Sequence, residues 1–194
     1  SISVYANIPH LYFGNEELRN SQIRIKGKSN IIESDFSTER RQKNAFVNWA
    51  LTANAANNRL RTIASMDNNR SPRFSGKMDI TTNFKKTADG KDWIEAWIAP
   101  ETLTISDTLW HINPATIKWE NSVASIRGFS IYQSKHRELS INGCISSNKE
   151  DTLTLKLQDI NVDYILNLVN FRSIEFSGFA TGTATATNVL SSPD

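Results

Sequence analysis

The chain has 194 residues, 39% hydrophobic and 22% charged, with a formal net charge of +2. That is enough apolar content for a folded core. It excludes a disordered charged tail, and its basic residues, scattered among acids, exclude the clustered basic surface that binds nucleic acid. The single cysteine, Cys144, excludes an internal disulfide, and no stretch approaches the roughly 18 apolar residues of a membrane-spanning helix.

The predicted elements run as follows. Ile2, Val4, Ala6 and Ile8 alternate with other residues and predict a first strand, closed by Pro9. Phe13-Gly14-Asn15 makes a turn, Ile23 and Ile25 belong to a second strand, and Gly27 to Asn30 turns the chain. Ile32 and Phe36 mark a third strand, followed by a charged turn at Glu39, Arg40 and Arg41. Val47, Trp49 and Leu51 alternate in a long strand ending at Asn57-Asn58, a hairpin-type pair. Leu60 to Met66 returns beside it. Phe74, Met78 and Ile80 then form the clearest alternation of the first half.

Shorter strands follow at Trp93–Ile98, Leu103–Ile105, Trp110–Ile112 and Ile117–Trp119, then a longer one at Val123–Gln133. From Glu138 the alternation is strong again: Leu139 and Ile141, a polar turn at Ser146–Glu150, then Leu153, Leu155 and Leu157. Apolar residues between Asn161 and Asn170 sit at helical offsets and predict one short helix near 161–170. From Ile174 to Thr187 small residues (Gly178, Ala180, Gly182, Ala184, Ala186) line one face of a last strand. The class is all-β, and consecutive hairpins favour one meandering antiparallel sheet; a β-sandwich is the alternative.

The sequence holds no catalytic constellation, so no enzyme is expected. His10, His111 and His136 lack a second ligand at metal spacing, and no phosphate-binding or nucleophile-elbow motif occurs. No cofactor or metal is implied. Glu95 and Glu101 are strand and turn acids, and Asp67-Asn68-Asn69 lacks the glycine and distal glutamate of a calcium loop. Of the five tryptophans, Trp93, Trp97, Trp110 and Trp119 crowd the middle of the chain. Trp93 and Trp97 share a strand face, which gives a bulky core layer, a sugar-stacking platform or the wall of an apolar groove.

The order I-x-G-x-I-S (residues 141–146), polar turn, D-T-L-x-L-x-L (151–157), V-D-Y-I-L (162–166) and F-S-G-x-A-x-G-x-A-x-A (176–186) resembles the TamB family. These are translocation and assembly module proteins of Gram-negative envelopes, related to AsmA-like bridge-like lipid-transfer proteins, here in a Bacteroidetes-type form. The resemblance covers about the last half of the chain. It implies a sheet curled into an open trough, the β-taco, whose apolar concave face carries phospholipid acyl chains. It also implies a periplasmic segment, 1–194 as one β-rich piece of a much longer protein anchored in the inner membrane. The role is non-enzymatic: passage of phospholipid between inner and outer membranes, or assistance to outer-membrane protein assembly. The partners implied are acyl chains, neighbouring β-segments and an outer-membrane assembly-type barrel. The expected groove residues are Val47, Trp49, Leu51, Phe74, Met78, Ile80, Leu139, Ile141, Leu153, Leu155, Leu157, Phe176, Ala180 and Ala184. The alternatives are a carbohydrate-binding β-sandwich with a tryptophan platform and a structural module of a surface protein.

Overall fold

The structure, a computed structural model, describes residues 1–14, 16–42, 45–162 and 178–188. In chain order its strands are β1 (Ile2–Phe13), β2 (Glu16–Lys28), β3 (Ile31–Gln42), β4 (Ala45–Ala56), β5 (Arg59–Asp67), β6 (Phe74–Lys86) and β7 (Asp92–Ile98). Then come β8 (Glu101–Ile105), β9 (Thr108–Ile112), β10 (Ala115–Glu120), β11 (Val123–Ser134), β12 (Arg137–Ile145), β13 (Thr152–Asn161) and β14 (Phe179–Thr187). All fourteen belong to one antiparallel sheet, in the order β1-β2-β3-β4-β5-β6-β7-β10-β11-β12-β13-β14, with β8 and β9 off that path. The expected all-β class holds.

The chain divides into two compact units, Ser1–Asn83 with Thr102–Thr108, and Phe84–Glu101 with Leu109–Asp194. The first holds β1 to β5 and most of β6, with β8 paired to the start of β6 through Phe74–Ile105 and Gly76–Leu103. The second holds β7 and β10 to β14, with β9 paired to β11 through Ile112–Ile131. Neighbouring strands are consecutive in sequence wherever a tight turn joins them. Ser29-Asn30, Asn57-Asn58, Ser106-Asp107 and Asn121-Ser122 each have positive φ at both residues. That backbone matches strand twist in a two-residue hairpin, and Asn and Asp tolerate it at low cost.

Two expectations require correction. Pro9 does not close the first strand: β1 runs through it to Phe13, and the register continues from Ile8–Ser21 to His10–Arg19. Among the described residues β1 pairs with β2 alone, and an edge strand tolerates a residue without an N–H. Glu39, Arg40 and Arg41 are not a turn but lie inside β3. Each charge has a partner on β2: Arg19 with Glu39, Glu16 with Arg40, and Glu17 with Arg41. The strands expected around Ile23 and Phe36 are 13 and 12 residues long. The helix expected near 161–170 falls on residues that, from 163 onward, lie outside those described, and Asn161 is the last residue of β13.

Closed packing is local. In the first unit Val47 is buried, as is a hydroxyl pair, Ser21 and Thr38, 2.7 Å apart. In the second, Ile98, Trp110, Ile112, Ala115 and Ile160 are buried. A bulge in β11 between Ile126 and Phe129 shifts the register against β12. There the Gly128 N–H, at φ +76°, donates to the Asn142 side-chain oxygen at 2.7 Å. Beside it Gly143 sits at φ +120°, and a Cβ on it would stand 2.0 Å from the Thr152 carbonyl oxygen. β12 and β13 meet at this point only because the side chain is absent. Gly143→Ala is therefore expected to cost about 2 kcal/mol or more. Gly182, with nothing within 4 Å of its Cβ position, tolerates alanine. Urea midpoints of the two variants check this, and equal midpoints would contradict it.

Candidate functional site

In an antiparallel sheet, directly opposed residues point to the same side. The registers therefore define each face without reference to sequence parity. In the first unit one row reads Ala6, Ile23, Phe36, Leu51, Ala64, Met78, six apolar residues from six successive strands. The adjoining row on the same face reads Val4, Ile25, Ser34, Ala53, Thr62, Ile80. Trp49 opposes Met66 there, Val47 opposes Arg40, and Phe74 opposes Ile105. With strands about 4.8 Å apart, six strands make an apolar band about 24 Å wide. The opposite face carries Tyr5, Arg24, Asp35, Thr52, Ile63 and Asp79.

The second unit repeats the arrangement. Phe129, Ile141, Leu155 and Ala184 form one row, and Ile131, Leu139, Leu157 and Gly182 the next. Ile126, Gly143, Leu153 and Ala186 lie on the same side, and Ala180 opposes Ile160. Asn142, Thr154 and Thr185 occupy the other side. Within each unit, then, the expected groove residues share a face. Phe176 lies outside the described residues.

Burial of these faces is incomplete. Of the candidates described, Val47 alone is buried; Leu51 and Ala184 are exposed, and the others are half-buried. Such a surface keeps part of its apolar area in contact with water, where burial would yield about 25 cal/mol per Å². A large apolar surface of this kind marks a site for an apolar ligand or partner.

Charge interrupts the first face at one point. Arg40, opposite Val47, donates from Nε and one terminal nitrogen to the two Glu16 oxygens at 2.8 and 3.0 Å. The hydrogen bonds to Glu16 push its guanidinium above the ordinary arginine range. The other pairs stitch the polar side. Arg61 meets Asp79 at 2.6 Å and Arg41 meets Glu17 at 2.7 Å. Arg19, hydrogen-bonded to Glu39, also lies 3.5 Å from the Phe46 ring centre.

The tryptophans do not form one platform. On β7, Trp97 opposes Thr116, whereas Ile94 opposes Trp119 of β10, so Trp97 and Trp119 point to opposite sides. Trp93 lies under two ammonium groups, Lys85 at 4.5 Å and Lys118 at 4.7 Å. Trp110 is buried, with its indole N–H unpaired. The sugar-stacking alternative therefore finds no common row of exposed rings. Cys144 is half-buried with its Sγ 3.8 Å from the Ser125 hydroxyl, and Glu95 is paired with Lys85. Among the described residues no three His, Cys, Asp or Glu converge as metal ligands.

No family model, curated protein or solved structure matches the chain. Function must be argued from the faces themselves. Sequence alternation missed their extension onto β1 to β3 and onto β7, β10 and β11. The signal was present in Ile23, Ile25 and Phe36, and in Ile117 and Trp119, but only the register ties those residues to the rows already recognised. Arg40 was missed because three consecutive charges read as a turn.

The electrostatics generate a pH dependence. Glu39 is held below the usual carboxylate range first by the hydrogen bond from Arg19, and Asp79 first by the one from Arg61. Asp67 is held down first by the Asn69 backbone N–H. A carboxylate with a lowered folded pKa contributes stability above its unfolded value of about 4, and that contribution is lost as pH falls through the folded value. Urea midpoints are expected to drop as pH falls below about 4. Arg61→Gln is expected to make the drop shallower; an unchanged slope in that variant would show that its ion pair contributes nothing.

Proposed function

We propose that the chain is a TamB-like, non-enzymatic segment whose apolar faces hold phospholipid acyl chains during passage between the two membranes of a cell envelope. The observation that carries the proposal is the pairing of apolar rows with incomplete burial. Leu51 and Ala184 lie in rows that are apolar from strand to strand, yet both are exposed. An acyl chain laid on such a row replaces water at about 0.8 kcal/mol for each CH₂ buried. The sheet can offer the surface because its backbone groups are satisfied by neighbouring strands, and no polar group need be exposed to the chain. The small residues of β14 leave room beside Leu155 and Leu157. In this proposal the segment is periplasmic, the sheet is an open trough, neighbouring β-segments extend it, and an outer-membrane assembly-type barrel is a partner.

A photo-reactive side chain placed at Leu155 or Ala184 is expected to label phospholipid, while one at Thr154 or Thr185 on the other face is not. Equal labelling of both faces, or of neither, would remove the case for a lipid surface. Leu155→Glu is expected to abolish labelling from Ala184 by placing an unpaired carboxylate in the apolar row. Leu155→Ala is expected to cost less than the roughly 2–5 kcal/mol of a closed core site, because solvent or ligand reaches the space left behind. A loss within that range in the urea midpoint would mean the row is sealed.

A further inference from the structure

We infer that Arg40 is a phosphate site at one end of the apolar face of the first unit. There it takes the phosphodiester of a phospholipid whose acyl chains lie along the strands from Trp49 towards Ile32. The inference rests on the acyl-chain reading and deepens it by giving the bound lipid a direction. On β3 the side chains of this face run Ile32, Ser34, Phe36, Thr38 and Arg40. Register sets Leu51 of β4 beside Phe36, Trp49 beside Thr38 and Val47 beside Arg40. The face is thus largely apolar as far as Phe36, meets a hydroxyl at Thr38 and ends in a cation. That is the order of acyl chain, ester and phosphate in a phospholipid. From Arg40 to Ile32 is eight residues, about 27 Å at roughly 3.4 Å each. One acyl chain spans about half of the roughly 30 Å bilayer core, so the strand is long enough to hold it.

Arg40 is placed unlike the arginines of the polar side. The side chains of Arg41 and Arg61 are 53% and 54% exposed there, whereas that of Arg40, opposite the buried Val47, is 27% exposed. An ion pair in partly apolar surroundings adds little net stability, because desolvation offsets the attraction. Arg19–Glu39 and Arg41–Glu17 already join the same two strands from the other side, so register alone does not explain a third pair. Glu16 holds only one edge of the guanidinium, accepting from Nε and one terminal nitrogen at 2.8 and 3.0 Å. The other terminal nitrogen makes no hydrogen bond among the described residues. The end of the fork, one N–H from each terminal nitrogen, is therefore open to two phosphate oxygens. Glu16 is a positioning residue: it fixes the plane of the fork without occupying its end.

The full chain is titrated with a phosphatidylcholine and with the diacylglycerol of the same acyl chains, both presented in the same detergent. The phospholipid is expected to bind about tenfold tighter or more, and the preference to fall to about twofold or less in Arg40→Gln. That variant leaves Glu16 without its arginine on a largely apolar face. The double variant Arg40→Gln/Glu16→Gln therefore repeats the measurement without the stranded carboxylate, and circular dichroism shows whether the strands persist. Arg40→Lys, a point charge without the fork, is expected to recover only part of the preference. Arg61→Gln, on the other side, is expected to keep it whole. Direction is read from Trp49 in a variant whose other tryptophans are phenylalanine. Bromine near the carboxyl end of the acyl chain is expected to quench Trp49 more than bromine near the methyl end, and Arg40→Gln to erase the difference. Equal binding of the two lipids, or a preference that survives in the double variant, would overturn the phosphate site and leave the acyl-chain reading standing. Binding of neither lipid would overturn the acyl-chain reading itself. Inorganic phosphate bound at Arg40 with no preference between the lipids would assign the site to the free ion and overturn the headgroup assignment.

Discussion

A one-residue slip between two strands would reverse the face of every side chain on the slipped strand, because the side-chain period of a strand is two. Everything else in this protein depends on that register being held. Two-residue turns hold it at four hairpins, where both central residues take positive φ and no slack remains. Elsewhere specific contacts do the work. Gly143 admits β13 at a distance no side chain would allow, and the Asn142 side chain satisfies the backbone of the adjacent bulge. Paired charges between β2 and β3 fix the stretch at Glu39 to Arg41, where consecutive charged side chains define no apolar face.

Once register is fixed, the two faces follow. Rows such as Ala6, Ile23, Phe36, Leu51, Ala64 and Met78 are apolar from strand to strand, and the residues between them are mostly polar. Here closed packing is confined to a few positions, among them Val47 in one unit and Ile98, Trp110 and Ile112 in the other. Cross-strand pairs and backbone hydrogen bonds join the strands, and the apolar rows are only partly buried.

The strong period-2 segments were legible from sequence. Val47 to Leu51, Phe74 to Ile80, and Leu139 to Leu157 all form strands, and each set shares a face within its unit. Asn57-Asn58 announced its hairpin because Asn accepts positive φ. Two features misled. Pro9 reads as a strand terminator, yet at an edge its missing N–H costs no ladder bond. Glu39-Arg40-Arg41 reads as a turn, yet partners 20 to 24 residues earlier neutralise each charge. Those partners, and the rows that join β1 to β6, depend on pairing between strands, which periodicity within one strand does not encode. The lipid role was suggested by resemblance and is supported by the half-exposed rows; the residues themselves carry no chemical motif that would name a ligand.

The central claim is that one face of each unit takes acyl chains and the other does not. In the second unit nature has placed a reporter on each side: Trp119 on the apolar face, 41% exposed, and Trp97 on the polar face, 46% exposed. In variants retaining only one of these two tryptophans, with the others replaced by phenylalanine, phospholipids brominated on their acyl chains quench indole emission on contact. The account predicts strong quenching of Trp119 and little of Trp97, although water reaches both nearly equally. Equal quenching of the two, or none of Trp119, would contradict it.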